Sequence, residues 1–254
     1  MLIGRFTYGD KVCFGIIEEQ TIQLIREDIF NQIELTGERL SLEDVTLLAP
    51  VEPPLIVGLG RNYTGHVKEM AVDPPERPAI FFKPGRSIIG HMEPVVIPHW
   101  ATRVDYEGEL GVIIGRKMKY VAEESVREHI FGYTCFNDVT ERNIGSSGLI
   151  NQDVSKCCDA FGPCGPWIST DLDPDNAIIR TYRNGELVQQ DNTGNTVFSL
   201  NQILSFLSSF MTLWPGDLLI TGTPAGIGPL KSGDTVEVEI DGIGRLSNPV
   251  QAGR

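Results

Sequence analysis

The stretch Asp105-Tyr106-Glu107-Gly108-Glu109-Leu110-Gly111-Val112-Ile113-Ile114 alternates at its start and turns apolar at its end. A strand running from a rim into a core reads this way. Residues i and i+2 of a strand share a face, so Glu107 and Glu109 project side by side. Carboxylates that close repel and raise each other's pKa unless a cation sits between them. Hard oxygen ligands of this kind suit Mg²⁺, Mn²⁺ or Ca²⁺ rather than Zn²⁺. The competing reading is an ordinary solvated strand face with glutamate at alternate positions. A third oxygen ligand is available from Asp138, at the end of the strand-like run 133–136. Its competing role is a helix N-cap.

Outward from this strand the chain reads as mixed α+β with β dominant. Short apolar stretches at 2–8, 12–17 and 22–25 predict a small β-rich N-terminal domain over residues 1–50, with 40–48 as a connection. Three prolines within Ala49-Pro50-Val51-Glu52-Pro53-Pro54 make the best linker, leaving 51–254 as one larger domain. Further strands are expected at 55–59, 79–82, 217–221 and 235–240. Asn184-Gly185 between possible strand arms signals a hairpin. Helices are expected at 122–130 and after Ser199-Leu200-Asn201-Gln202, a capping-box pattern followed by Ile203, Leu204, Leu207 and Phe210 at helical spacing.

Composition narrows the class. Of 254 residues, 41% are apolar, so a packed core is feasible. Acidic residues outnumber basic ones 34 to 21, for a formal charge of −13, which argues against nucleic acid and anionic membranes as partners. The N-terminus shows no signal-peptide pattern, and no stretch reads as a membrane span. The five cysteines are an odd, irregular set, which fits free thiols in a reducing cytoplasm. Cys157, Cys158 and Cys164 could form a soft-metal cluster, but no histidine is near them in sequence.

Other segments carry candidate chemistry. Gly58-Leu59-Gly60 lacks the third glycine of a dinucleotide fingerprint and the βα alternation that would carry it. His66 and Glu69, three apart, share a face if one helical turn forms. A carboxylate beside imidazole orients the ring for general-base work, and a surface salt pair is the plainer reading. Lys156, among Val154, Ser155, Cys157 and Cys158, could orient an anion, or simply snorkel from a half-buried segment. The glycine-rich loop 221–228 could bind a carboxylate through its amides, or be an ordinary turn.

Taken together, several segments resemble the fumarylacetoacetate hydrolase family. They are Gly58-Leu59-Gly60-Arg61-Asn62-Tyr63 with His66 and Glu69; Phe82-Lys83-Pro84; Asp105 through Leu110; and Gly132-Tyr133 through Asn137-Asp138-Val139-Thr140. Lys156 with Asp159, Asn184-Gly185-Glu186, and Gly216-Asp217 through Pro229 complete the set, in the family's order. The resemblance implies a mixed β-roll catalytic domain behind a small N-terminal domain, usually dimeric. It implies Mg²⁺ or Mn²⁺ held by Glu107, Glu109 and Asp138, and a lid around His66 and Glu69. Arg61, Tyr63, Gln190 and Thr223 match substrate-facing positions, and Lys156 a catalytic one. One departure is visible: Lys156-Cys157-Cys158-Asp159 stands where many members have Lys-Ser-Phe-Asp.

The expected substrate is a small 2-keto or 2,4-diketo acid, and the shared high-energy species is an enolate stabilised by the cation and Lys156. Water activated by His66 and Glu69 would hydrolyse an acylpyruvate; loss of carbon dioxide would decarboxylate oxaloacetate. These two C–C cleavages are the leading expectation; the alternative is isomerisation or decarboxylation of an aromatic-degradation intermediate such as 2-hydroxyhepta-2,4-diene-1,7-dioate, where movement of a proton alone would isomerise it. A non-catalytic keto-acid-binding module is the alternative from another class.

Overall fold

A computed structural model describes residues 1–144 and 152–253. The decisive stretch folds as two strands, Val104–Tyr106 and Gly108–Ile114, with a break at Glu107. Every residue of Gly108–Ile114 is buried, which explains its continuous apolar end. It lies inside a twelve-stranded sheet, antiparallel to Ile130–Asn137 on one side and to Leu218–Ile220 on the other. Leu218–Ile220 runs parallel to Leu55–Gly60, whose far side carries Ala79–Pro84. Gly108 pairs with Asn137, so the register brings Asp138 beside Glu107. Val104–Tyr106 leaves this sheet and pairs with Thr140–Glu141 and Gly228–Pro229.

A five-stranded sheet packs against the first. Its order is Glu186–Asn192, Ile178–Arg183, Thr235–Ile240, Gly244–Ala252 and Val95–Ile97. Leu110, Val112, Ile114 and Leu219 of the large sheet share one core with Ile179, Val238, Ile240 and Leu246 of the smaller. The helix Leu200–Phe210 closes that core with Leu200, Ile203, Leu204 and Leu207. Its capping box forms as the sequence predicts: the Gln202 N–H donates to Ser199 Oγ, and the Ser199 N–H to Gln202 Oε1. The hairpin also forms, with Asn184 and Gly185 at φ 53° and 79°, the two positive values its two-residue turn requires.

The strands Leu2–Tyr8, Lys11–Glu18, Thr21–Ile25 and Leu35–Ser41 follow one another antiparallel. They continue the large sheet, because Leu2 and Ile3 pair with Ser169 and Ile168 of Gly162–Ser169. Leu35–Ser41 takes up the start of the expected connection. Most of it is exposed at a sheet edge, so it has no core face and no apolar alternation to reveal it. The helix expected at 122–130 is only a 3₁₀ turn, Val126–His129. Val126 is its one buried residue, too few to make the apolar stripe that holds a longer helix down. No described helix is long and apolar enough to cross a membrane.

Candidate metal centre and active site

Three carboxylates converge where Gly108–Ile114 begins. Glu107, Glu109 and Asp138 each offer an oxygen within 4.8 Å of the others, and all three are buried. Backbone contacts fix two of them: the Glu107 N–H donates to Asn137 Oδ1 (2.9 Å), and the Asp138 N–H to the Glu107 carbonyl (2.8 Å). Asp138 caps no helix; it lies between the strands Ile130–Asn137 and Thr140–Glu141. Nor do the glutamates form a solvated face, since Glu107 and Glu109 are 5% and 1% exposed.

Positive charge is distributed unevenly around them. Asp105 pairs with Arg103 and Arg142, Glu107 with Arg142 and Lys156, and Asp138 with Lys83 and Lys156. Lys83 is fully enclosed, its Nζ 2.7 Å from Asp138 Oδ1 and 2.9 Å from the Phe161 carbonyl. Burial lowers its pKa, and Asp138 restores only part of the loss. Lys156 Nζ lies 3.0 Å from Glu107 Oε2, 2.8 Å from Thr140 Oγ1 and 4.5 Å from the centre of the Phe81 ring. Burial opposes its charge, but Asp138 and Glu107 outweigh burial and hold its pKa above the ordinary lysine value. Burial likewise works against an ionised Glu107, yet Lys156 and Arg142 bring it down to about 2.

Glu109 is different. It accepts the Gly222 N–H at 2.7 Å and contacts no cationic side chain among the described residues. Burial first, then Asp138 and Glu107, push its pKa well above the usual carboxylate range. A buried carboxylate crowded by two others, with no cationic side chain in contact, is one that a cation bound among the three would stabilise. The all-oxygen donor set therefore fits a hard divalent ion such as Mg²⁺ or Mn²⁺. Among the described residues no cysteine cluster does so, and Cys164 is a buried thiol whose pKa burial pushes up to about 12.

The helix Thr64–Glu69 brings His66 and Glu69 together, with His66 Nδ1 2.9 Å from Glu69 Oε2. The other carboxylate oxygen accepts the Gly226 N–H at 3.0 Å. An ionised Glu69 accepts from Nδ1–H, which leaves Nε2 as the basic nitrogen. His66 is only 6% exposed while Glu69 reaches solvent, so the pair joins a buried imidazole to an exposed carboxylate. Arg61, His66, Glu107, Glu109, Lys156 and Thr223 all line one cavity of about 200 Å³. Size alone does not mark it out: a wider groove of about 700 Å³, near Arg5, Pro54 and Ile89, holds none of these groups.

Other expected positions fall elsewhere. Tyr63 is fully buried and does not line the cavity, and its hydroxyl has no hydrogen-bond partner among the described residues. Gln190 is exposed, because strand alternation turns Gln189 inward instead. The amides of loop 221–228 serve the chain's own carboxylates: Gly222 serves Glu109 and Gly226 serves Glu69. Gly58 makes room for the Phe81 ring, since a Cβ there would lie 2.1 Å from it, which accounts for this glycine without a phosphate. Sequence reasoning assigned no role to Lys83, Arg142, Asp105 or Gln189. A lysine after Phe81-Phe82 in a strand was the available signal for Lys83; the others had none stronger than their neighbourhood.

Known proteins are similar to this chain in sequence and in fold. Residues 55–251 match the family model described as fumarylacetoacetate (FAA) hydrolase C-terminal, and residues 1–50 match one described as Rv2993c-like, N-terminal. Oxaloacetate tautomerase fahd2, mitochondrial, of Xenopus laevis is 41% identical over 223 residues, covering 83% of this chain and 70% of the relative. The crystal structure of 2-hydroxyhepta-2,4-diene-1,7-dioate isomerase from Mycobacterium marinum superposes with a TM-score of 0.92 at 40% identity, covering 99% of this chain and 98% of that one. Maleylpyruvate hydrolase from Sphingobium sp. SYK-6, in complex with manganese(II) ion and pyruvate, gives 0.84 at 28% identity, covering 100% of both chains. The family model spans most of the chain and the relatives share its sequence and its fold: this chain belongs to the fumarylacetoacetate hydrolase family.

Proposed function

We propose that the chain is a divalent-metal-dependent enzyme that moves a proton at the carbon beside the keto group of a small 2-keto acid, with oxaloacetate tautomerisation as its leading reaction. The observation that carries this reading is one cavity lined by Glu107, Glu109, Lys156, Arg142 and His66, with an Asp138 oxygen within 4.8 Å of the two glutamates and Glu69 bonded to the His66 ring. Glu107, Glu109 and Asp138 would hold Mg²⁺ or Mn²⁺. Such an ion supplies Lewis-acid stabilisation of negative charge on a keto oxygen.

The chain's own groups supply the rest. His66 Nε2 takes the proton from the carbon, Glu69 steadies the imidazolium that results, and the imidazolium then gives its proton to the enolate oxygen, which completes the enol; the reverse sequence restores the ketone. Protonated Lys156 and Arg142 attract the substrate's negative charge and favour the enolate. A volume of about 200 Å³ is that of about seven waters, the scale of a four-carbon diacid. In this reading residues 1–50 are a small N-terminal domain, 51–254 the catalytic domain, and the enzyme a cytoplasmic homodimer.

The second reading is C–C cleavage, either hydrolysis of an acylpyruvate or decarboxylation of oxaloacetate. The buried His66, oriented by Glu69, favours it, since a positioned base would equally activate water. Isomerisation of a 2-hydroxyhepta-2,4-diene-1,7-dioate-type compound uses the same proton step on a longer substrate. Ultraviolet turnover assays with oxaloacetate, acetylpyruvate and the dienedioate, each with Mn²⁺ or EDTA, separate these outcomes. Enol loss without pyruvate formation supports tautomerisation, and pyruvate release supports cleavage. Binding of oxalate with no turnover would leave a keto-acid-binding module and overturn both.

A further inference from the structure

The smaller sheet sends one side chain into the heart of the site. Gln189, on the edge strand Glu186–Asn192, is 3% exposed. Its Oε1 accepts the Gly108 N–H at 3.0 Å, between the two glutamates of the cluster. Its Nε2 donates to Thr223 Oγ1 and to the Pro224 carbonyl, each at 2.9 Å. The amide orientation is unambiguous, because a backbone N–H fixes the oxygen end and a backbone carbonyl fixes the nitrogen end. The Thr223 hydroxyl then donates to the Gly108 carbonyl at 2.9 Å, closing a ring of bonds around one residue.

The loop tied down in this way spans both halves of the site. Two residues along it, the Gly222 N–H holds Glu109; further on, the Gly226 N–H holds Glu69. Gly226 has φ 102°, and a Cβ there would fall 2.3 Å from the Val188 carbonyl, so the loop rests directly on the strand that carries Gln189. Gly108 is equally committed, since its Cβ would lie 2.1 Å from Thr181 Oγ1 of the neighbouring strand.

We propose that Gln189 is a positioning residue that clamps loop 221–226 to Gly108, and so holds Glu109 and Glu69 at a fixed separation. It touches neither substrate nor ion and acts through the two carboxylates. The clamp deepens the proposed metal-dependent function and rests on it for its consequence in catalysis, but the clamp itself is a property of the fold. A side chain that only supported the fold would change thermal stability alone.

The test compares Gln189→Met, which loses every bond, with Gln189→Glu, which keeps an acceptor for Gly108 and loses the donors. Hydrogen exchange by mass spectrometry reads the clamp, and Mn²⁺ titration by electron paramagnetic resonance reads the cluster, both well below the melting temperature. Exchange in 221–228 and 64–70 is expected to rise at least about tenfold in both variants, and in 107–110 only in Gln189→Met. Mn²⁺ affinity is expected to fall about tenfold in Gln189→Met. Unchanged exchange in 221–228 and 64–70 would overturn the clamp whatever happens to stability. Exchange raised as expected with Mn²⁺ affinity within twofold of the parent would overturn its role at Glu109. A parent protein that binds no Mn²⁺ would sink the metal reading, and the exchange data would still judge the clamp.

Discussion

Replacing Glu109 with glutamine separates the electrostatics of the site from its packing. The amide keeps nearly the same shape and can still accept the Gly222 N–H, but it carries no charge. Two carboxylate oxygens no more than 4.8 Å apart repel by at least about 3.5 kcal/mol at an effective dielectric constant of about 20. Lys83, Lys156 and Arg142 offset much of this, so the metal-free variant should match or exceed the parent's stability, by up to about 2 kcal/mol. With metal the order reverses. A parent held at a hundred times the dissociation constant gains about 2.7 kcal/mol, or roughly 5–10 °C in melting temperature for a chain of this length. Glu109→Gln should lose most of that gain and shift by less than about 2 °C. Differential scanning fluorimetry with EDTA, then with Mn²⁺, reads both effects. A metal-free variant clearly less stable than the parent, still shifted by Mn²⁺ as the parent is, would refute the idea that Glu109 is an uncompensated ligand.

His66→Gln should cut kcat about 100- to 10,000-fold while leaving Mn²⁺ affinity within twofold, as steady-state kinetics and metal titration would read. Lys83→Met removes a buried cation from Asp138 and should cost about 3–5 kcal/mol in urea unfolding of the metal-free protein. Gly226→Ala combines φ 102° with a Cβ 2.3 Å from a carbonyl oxygen; a loss of at least about 2 kcal/mol, near 4–8 °C in melting temperature, is expected. His91 accepts the Ser247 N–H at Nδ1, and burial lowers its pKa, with Glu237 opposing. The unfolded chain therefore binds a proton at His91 more readily. Its contribution is present above about pH 6.5 and is lost as pH falls through the window below, a slope that His91→Gln should flatten in melts between pH 5 and 8.

The parts of this molecule that were legible in sequence are those decided by local chemistry. Ser199 with Gln202, Asn184-Gly185, and the apolar end of the strand at Ile114 each specify their structure within a few residues. The glutamate pair was legible for the same reason, although the chain breaks at Glu107 where an unbroken strand was expected. Asp138 and Lys156 were candidates in their own segments, each beside a plainer reading, and the resemblance decided between the two, because only tertiary structure brings them to the site. Gln189 and Gln190 show the limit: a one-residue choice flips a side chain across the sheet, and the irregularity at Thr181–Tyr182 that helps set it is a tertiary feature. Lys83 and Arg142 answer charges from distant segments. The strand Leu35–Ser41 is defined only by its neighbour, so it has no signature of its own.

Every reaction proposed for this cavity except simple binding forms an enolate beside a keto group. The most direct measurement is therefore deuterium incorporation into the carbon next to the keto group of a 2-keto acid in D₂O, followed by proton NMR. Oxaloacetate and 2-oxobutyrate would be used, with Mn²⁺ replaced by Mg²⁺ for acquisition. Exchange well above the uncatalysed rate, dependent on the added ion and lost in both EDTA and Glu109→Gln, is the predicted result. Exchange no faster than in buffer for every keto acid, or equally fast in EDTA, would contradict a metal-dependent proton-transfer site built on Glu107, Glu109, Asp138 and His66.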